Sequence, residues 1–457
     1  MMPQGVTPFH YEEDNSNSKI TGLAGLPVYM DLLAKIGLSE IIGRHLHLRT
    51  KKNSWSDADE IIALLLLNIA GGDCVDDIDI LNADQGFCKL LKQLQLREQK
   101  LPRQQRRLLS REWEKTQQRL FPSQTAIRSF LKAFHCEPLI AERETSEVKS
   151  FIPRESKPLL ALGKINAELM SFIQQNSPSA FATIDIDATL LPANKKEALY
   201  SYKGFKSYQP LNAWWDEQKV ILNTEFRDGN VGAGYEILRF LKNTLRHLPD
   251  GVAKVSVRSD TAAFQYELMD FCEIVEKRDK EFKALEKIEF AIGCPVCKEL
   301  KKAISQVEES EWQVLKTRID KITGEEQVIM EGAEVCYVTN KGSKSMKSPE
   351  YRFVATRSLR SDQQVLLDIS EEESSSQKKL PFPTATINHL KYKVHAIVSN
   401  CSRKELTVKQ LVEWYHQRAG FSEQAHLIMK TDFAGGQLPS KYFGANSAWW
   451  WIRYCLY

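Results

Sequence analysis

The chain has 457 residues, of which 42% are hydrophobic and 26% are charged, and its formal net charge is +3. This composition is that of a globular protein of two or three domains and excludes a disordered or fibrous chain. The longest apolar run, residues 61–70, is too short to cross a bilayer, and the polar, acidic start lacks an apolar signal core. The nine cysteines lack framework spacing, which indicates reduced thiols, so we expect a cytoplasmic protein without a membrane partner.

The first third of the chain is predicted to be a flexible arm followed by helices. Residues 1–19 are polar and acidic, whereas residues 20–140 follow a helical pattern. Residues 57–70 are nearly all apolar, which predicts a helix that is buried on every side. We expect the region 20–140 to be helical and to serve DNA binding or dimerisation.

A well-punctuated helix is predicted over residues 103–120. It follows Pro102 and ends before Pro122, and Ser123 can cap a second helix that runs to Phe134. Two helices around a tight turn resemble helix-turn-helix modules, which place one helix in a groove of DNA.

The positive charge of the chain is concentrated in this region. The segment Lys89–Lys132 holds twelve Lys or Arg and three Glu, a net charge of +9. Such a segment favours contact with a polyanion such as duplex DNA, and a solvated basic face is the alternative. Cations recur every four residues along the first helix, and we take them as candidate DNA-binding residues: Arg103, Arg107, Arg111, Lys115 and Arg119.

The most informative stretch is residues 182–191, in which apolar and polar residues alternate. This period of two predicts a strand that carries Asp185 and Asp187 on one face, about 7 Å apart. Two carboxylates at that distance repel each other unless a cation bridges them or a proton is shared. The pattern favours a Mg²⁺ enzyme of phosphoryl chemistry, and a half-buried strand with solvated acids is the alternative.

The elements that follow this strand have a recognisable order. Two more strands are predicted, then a helix, a strand, a second helix and a further strand, and Asp260 stands directly after the fourth strand of the series. This is the order of an RNase H-like core, and α/β sheets of this kind place functional groups at strand ends. The predicted elements are strands 208–215, 220–226, 253–257 and 288–292 and helices 234–248 and 261–272.

An excursion then interrupts this core. It contains a charged helix, short strands at 312–317, 335–339 and 351–356, and a polar loop, after which a strand at 391–398 and a helix from Glu405 return to the core. The chain is therefore divided into an arm (1–19), a helical region (20–140), a first core part (141–297), an insertion domain (298–386) and a second core part with a C-terminal helix (387–457).

Short fragments spread over nearly the whole chain match one family in their order and spacing. They are Leu23–Leu26, Gly71–Asp77, Pro122–Thr125, Arg227–Asn230, Arg258–Asp260 and Gly435–Ser440. With them the chain resembles the bacterial insertion-sequence transposases of the DDE type, in the subgroup with a β-rich insertion and a Tyr-x₂-Arg…Glu-x₆-Lys signature. The resemblance implies an α/β fold: an RNase H-like catalytic core interrupted by a β-rich insertion and preceded by an all-helical DNA-binding domain.

The same resemblance implies an activity, a cofactor and partners. It implies a transposase that binds the terminal repeats of a mobile element and target DNA, with Mg²⁺ or Mn²⁺ as cofactor and a homodimer as the active complex. By this resemblance three acids hold two metal ions, and an arginine and a lysine position phosphates. The matching residues are Asp187, Asp260 and Glu423 for the acids, and Tyr415, Arg418 and Lys430 for the remainder of the signature.

Three departures from the family pattern stand out. The spacing from Arg418 to Glu423 is one residue longer than usual, which turns Glu423 by about 100° on a continuous helix unless Gly420 or a π-bulge absorbs the residue. Asp185 competes with Asp187 for the position of the first acid. The sequence stops soon after the tryptophans at 449–451, where relatives usually continue, so an inactive, truncated copy is an open alternative.

The alternative enzyme comes from the same strand. Asp185 and Asp187 also fit the opening motif of haloacid-dehalogenase-like phosphatases, in which the first Asp is the nucleophile and the second the acid/base. That class leaves the +9 segment without a role. The non-enzymatic alternative is a transposase relic that binds DNA without cutting it.

Overall fold

The computed structural model divides the chain into two compact units, one of Met1–Gly43 with Arg49–Phe130 and one of Arg44–Leu48 with Leu131–Tyr457. None of the helices in the part of the chain that it describes is long and apolar enough to cross a membrane. The structure describes residues 20–49, 55–98, 101–116, 118–146, 150–319, 324–338, 351–359, 385–387 and 392–454.

The first unit is helical throughout its described residues. The predicted buried helix is present as α3, which begins with a capping box between Ser56 and Asp59 and buries the run Leu64–Leu67. The helices are α1 (Leu26–Ile36), α2 (Leu38–His45), α3 (Asp57–Ile69), α4 (Ile78–Ala83), α5 (Gln85–Glu98), α6 (Arg103–Thr116) and α7 (Gln124–Lys132).

The two helices around the tight turn are α6 and α7. Ser123 accepts a hydrogen bond from the backbone N–H of Ala126 at 3.2 Å, which confirms its predicted capping role. Helix α6 ends at Thr116, earlier than predicted. The chain then runs to Phe121, whose ring stacks on Phe87 at 5.9 Å, and this packing favours an early end to the helix.

The second unit is built on one large mixed sheet. Its first five strands have the spatial order β6-β5-β1-β7-β8, in which β5 is antiparallel to both β1 and β6 while β7 is parallel to β1 and β8. This confirms the predicted RNase H-like core. The strands are β1 (Phe181–Ala188), β5 (Leu211–Trp215), β6 (Val220–Glu225), β7 (Lys254–Ser259) and β8 (Glu289–Cys294). Three short strands lie between β1 and β5 in the chain: β2 (Leu191–Pro192), β3 (Leu199–Tyr200) and β4 (Lys206–Tyr208). The helices are α8 (Glu137–Thr145), α9 (Lys157–Asn176), α10 (Ile237–Leu245), α11 (Tyr266–Glu273) and α12 (Lys298–Ser305).

Beyond β8 the same sheet continues with β13, the returning core strand predicted at 391–398, and then with the strands of the predicted insertion. The order is β8-β13-β11-β10-β9, and β12 pairs with β13. The strand expected at 335–339 is wrong: β10 ends at Val335, because it pairs with β9 and β11 along residues that precede this point. These strands are β9 (Gln313–Ile319), β10 (Glu326–Val335), β11 (Arg352–Leu359), β12 (Ala385–Ile387) and β13 (Tyr392–Ser399).

Two further helices lie among the described residues of this unit. The long helix, Val408–Lys430, is continuous through Gly420, so neither a break nor a π-bulge occurs there. The extra residue between Arg418 and Glu423 is therefore not absorbed, and the Glu423 backbone is turned by about 100° from the position that the family spacing gives. It packs on β1, β7 and β8 and buries Leu411 and Val412 against the sheet. The tryptophan helix, Phe443–Tyr454, buries the tryptophans at 449–451, which are therefore core residues.

Candidate active site

The carboxyl ends of β1 and β7 carry the first two candidate acids. These strands are parallel neighbours, and Ile186 pairs with Ser259, so Asp187 and Asp260 are the next residues in register. Neighbouring strands lie about 4.8 Å apart. The structure thus brings Asp187 and Asp260 to one edge of the sheet, as parallel strands require.

The turn after β7 fixes the position of Asp260. Its carboxylate accepts a hydrogen bond from the backbone N–H of Ala262 at 2.9 Å and caps a short 3₁₀ turn. Gly293 on β8 lies behind this turn. A Cβ atom there would stand 2.9 Å from the Tyr415 hydroxyl oxygen and 3.0 Å from the Thr261 nitrogen, so only glycine fits without a shift.

Asp187 faces the long helix. Its Oδ1 accepts a hydrogen bond from the Ala188 N–H at 2.9 Å. Its Oδ2 lies 3.9 Å from a guanidinium nitrogen of Arg418 and 3.6 Å from Nδ1 of His426. The side chain keeps about a fifth of its surface exposed, so solvent and substrate can reach it.

Tyr415 and Arg418 stand over both acids. The Arg418 guanidinium lies 5.6 Å from the centre of the Tyr415 ring. Burial lowers the pKa of Arg418, but Tyr415, Asp187 and Asp260 outweigh this and raise it. Burial also raises the pKa of Tyr415, against the effect of Arg418 and together with that of the two acids. Four residues that the family resemblance indicated therefore lie near one another.

Lys430 also interacts electrostatically with Asp187. Burial lowers its pKa, Asp187 acts in the opposite direction, and Lys203 lowers it further. The ammonium group is thus close enough to Asp187 to interact with it. The position of Lys430 is compatible with its predicted role in binding a phosphate.

The side chain of the third acid lies outside the described residues, although its backbone is part of the long helix. Glu423 stands about 20° around the helix axis from Lys430 and about 60° from His426, at 100° per residue. Among the side chains that the structure describes, no group of three His, Cys, Asp or Glu is placed to hold a metal ion. The convergence of three acids stays a prediction.

Asp185, the alternative candidate for the first acid, is buried. It is 1% exposed, and its two oxygens accept hydrogen bonds from Arg258 at 2.7 and 2.8 Å. Arg258 also donates to the Asp216 carboxylate at 3.0 Å and to the backbone oxygen of Trp414 at 2.9 Å. This buried ion pair ties β1 and β7 to the long helix. A carboxylate bonded at both oxygens and shielded from solvent is unsuited to be a nucleophile, which argues against the phosphatase alternative.

A chain of hydrogen bonds runs from the tryptophan helix to His426, whose ring lies beside Asp187. Trp450 donates to Thr224 at 3.0 Å, Thr224 to the Asn212 oxygen at 2.6 Å, and the Asn212 amide contacts Nε2 of His426 at 3.1 Å. Burial lowers the pKa of His426 to about 3, and Lys430 and Arg418 act in the same direction. The neutral ring accepts at Nε2, so its proton is on Nδ1 and faces Asp187.

Replacing His426 by Ala is expected to remove the N–H group that faces Asp187 and helps to orient its carboxylate. Groups that orient metal ligands typically contribute about 10–100-fold to metal affinity or activity, and we expect a loss of this size. A titration of Mn²⁺ by calorimetry, together with DNA cleavage, measures it. His426→Asn keeps an N–H in a similar place and should recover most of the affinity, whereas equal behaviour of the two variants would contradict the orienting role.

The basic stripe lies in the first unit. Helix α6 buries none of its residues, and the first four cations of the stripe are exposed along it. Arg119 lies beyond the end of the helix and pairs with Asp79 at 2.8 Å, so its predicted place on the stripe is wrong. The candidates that remain on the helix are Arg103, Arg107, Arg111 and Lys115. Their contact with DNA stays a prediction.

The site thus lies in an RNase H-like core, with acids at the ends of its first and fourth strands and a helix that carries Tyr415 and Arg418 beside them. The family model described as "Transposase DDE domain group 1" matches residues 12–457. The chain belongs to this family, whose members generally use divalent metal ions.

The other comparisons are more distant. Among solved structures, a piggyBac transposase synaptic complex with hairpin DNA, determined by cryo-EM, aligns with a TM-score of 0.40 and 12% sequence identity over 91% of this chain and 70% of that chain. No curated protein matches the sequence.

Proposed function

We propose that this chain is a DNA transposase that binds the ends of a mobile element and performs metal-dependent strand cleavage and transfer with Asp187, Asp260 and Glu423. The observation that carries the proposal is the placement of Asp187 and Asp260 at adjacent strand ends beneath Arg418. Family membership supports the same conclusion.

The donor set suits a hard divalent cation. Asp187 and Asp260 present carboxylate oxygens, which are the ligands that Mg²⁺ prefers, and Mn²⁺ accepts the same set. Glu423 would supply the third carboxylate from the long helix. When bound, such ions activate a water or a DNA 3′-OH and stabilise the leaving oxygen.

The remaining side chains of the site have separate roles. Arg418 offers a planar, bidentate donor for a phosphate, and Lys430 a point charge. The Tyr415 ring lies against the Arg418 guanidinium and restricts its orientation. His426 holds an N–H toward Asp187. These groups bind the DNA backbone and orient the acids.

The substrate is double-stranded DNA, namely the terminal repeats of the element and a target site. The exposed cations of α6 support non-specific attraction to the duplex. Two copies of the chain are expected in the active complex, one for each element end. Such a protein acts in the cytoplasm, on the nucleoid when bound to DNA.

The function is tested with a plasmid that carries the DNA flanking the reading frame. We expect nicks at inverted repeats only when Mg²⁺ or Mn²⁺ is present, and none with EDTA. A parallel assay with a generic phosphate ester should remain negative. Ester hydrolysis without DNA cleavage would overturn the proposal in favour of a phosphatase.

Replacing both Arg107 and Arg111 by Ala is expected to weaken binding to duplex DNA. Each lost phosphate contact removes about 0.9 from the slope of log affinity against log salt, so the slope should flatten by about two. Binding measured by fluorescence anisotropy at several salt concentrations gives this slope. Gln104→Ala with Gln105→Ala, on the same helix, is the matched control, and an unchanged slope in the arginine variant would show that the stripe is only a solvated face.

A further inference from the structure

A small second sheet leaves the main sheet beside the candidate acids. Strands β1 and β5 pair as far as Ala188 with Leu211, and Asp187 pairs with Asn212. The chain between these partners, residues 189–210, forms the sheet β2-β4-β3, with β2 (Leu191–Pro192), β3 (Leu199–Tyr200) and β4 (Lys206–Tyr208). It starts two residues after Asp187 and therefore projects from the same edge of the core.

Strands β3 and β4 form a tight hairpin, residues 199–208, here called the tyrosine hairpin. The Ser201 N–H donates to the Phe205 oxygen at 2.9 Å, and the Gly204 N–H donates to the Ser201 oxygen at 3.0 Å. Gly204 has φ = +81°, a left-handed conformation that suits glycine. The turn is thus well specified by the local sequence.

The base of the tyrosine hairpin is fixed to the core. The Gln209 N–H donates to the Arg227 oxygen at 2.8 Å, and Tyr208 forms a bridge with Asp228. A Cβ atom on Gly229 would lie only 2.4 Å from the Ser207 oxygen, so the backbones are in close contact. A fixed base holds the tip in a defined place relative to Asp187.

The tip exposes two aromatic rings to solvent. Tyr200 is 64% exposed and Tyr202 is 54% exposed, so neither ring contributes much to the core. The ammonium of Lys206 lies 5.9 Å from the Tyr200 ring, and that of Lys203 lies 5.9 Å from the Tyr202 ring. Exposed rings beside lysines are the combination that binds unpaired bases and their phosphates.

The charge of the tyrosine hairpin extends toward the acids. Residues 195–206 contain four lysines and one glutamate. Lys203 interacts electrostatically with Lys430, which in turn interacts with Asp187. A strip of positive charge therefore runs from the exposed rings to the candidate catalytic edge, as a bound phosphate backbone requires.

We propose that the tyrosine hairpin is a binding platform for the DNA end, on which Tyr200 and Tyr202 stack unpaired bases next to the scissile phosphate while Lys203 binds the backbone. The proposal rests on the proposed function and names the part of the substrate that this segment recognises. Stacking needs unpaired bases, so the ligand is the single-stranded flank of an end rather than the duplex. The first unit is left to bind the duplex.

The test uses a DNA end with a short single-stranded extension that carries 2-aminopurine. Binding is measured in EDTA, where cleavage does not intervene. We expect the wild-type protein to quench the fluorescence by stacking. The Tyr200→Ala, Tyr202→Ala double variant should lose the quenching and bind the extended end about tenfold or more weakly, since stacking contributes about 1–3 kcal/mol per base.

Controls separate this outcome from misfolding and from failure of the proposed function. Tyr200→Phe with Tyr202→Phe keeps the rings and should quench like the wild type, and the Ala variant should bind blunt duplex normally and unfold at the wild-type temperature. Equal quenching by the wild type and the Ala variant would overturn the platform while leaving cleavage by the wild type intact. Absence of both DNA binding and cleavage in the wild type would overturn the proposed function and the platform together. If the Ala variant bound and quenched like the wild type but no longer formed dimers, the two rings would belong to a protein interface, and the platform would be contradicted.

Discussion

Replacement of Asp187 or Asp260 by Asn is expected to lower DNA cleavage by about 10³-fold or more. Each change removes a carboxylate charge from a site that stabilises the transition state through bound cations, and several kcal/mol of such stabilisation correspond to this factor. DNA binding should stay within about twofold of the wild type, because both side chains lie at the strand ends and not on the basic stripe. Gel-based cleavage of element ends and anisotropy measure the two quantities.

A matched control is Asp250→Asn, an exposed acid in the loop that leads into β7. It removes the same charge from the same unit and should leave cleavage unchanged. Full cleavage by Asp187→Asn, or an equal loss in the Asp250 variant, would contradict the assignment. Loss of DNA binding along with cleavage would indicate a structural effect.

The second large effect concerns stability rather than chemistry. Arg258→Met is expected to lower the free energy of unfolding by about 3–5 kcal/mol, because it leaves the Asp185 carboxylate buried without its partner. The loss also cuts the link from Arg258 to the backbone oxygen of Trp414 in the long helix. Urea unfolding followed by tryptophan fluorescence reports on this unit, which contains most of the tryptophans.

A double variant separates the buried charge from other damage. Asp185→Leu combined with Arg258→Met replaces the ion pair by apolar groups and should recover much of the lost stability, since such replacements are often neutral. The double variant should therefore be more stable than Arg258→Met alone. If the double variant is less stable than Arg258→Met, Arg258 stabilises the fold mainly through its bonds to Asp216 and to the long helix.

The sequence predicted the core and its first two acids because both depend on local pattern. Alternation over 182–191 places Asp185 and Asp187 on one face, and the position of Asp260 directly after a buried strand places it at the sheet edge. Parallel pairing then brings Asp187 and Asp260 together. Tyr415 and Arg418 came from the family resemblance, and the structure places them on the long helix beside these acids.

Other features depend on contacts between distant parts of the chain. The choice between Asp185 and Asp187 is made by Arg258, 73 residues away from Asp185, and no local pattern reports that pairing. The contact from Asn212 to His426 spans 214 residues. A signal for the close packing at Gly293 was present, because a glycine in an apolar strand often marks a close approach of another backbone. The joining of the insertion strands to the core sheet is also long-range pairing, which periodicity does not encode.

The central claim is that three carboxylates of this chain hold the metal ions that cleave DNA. The measurement that tests it most directly is a structure of the protein with a DNA end and Mn²⁺, in which anomalous scattering locates the metal. We expect manganese about 2.1 Å from oxygens of Asp187 and Asp260, with the Glu423 carboxylate about 4–8 Å from theirs. Manganese bound elsewhere, or a Glu423 carboxylate directed away from Asp187, would contradict it.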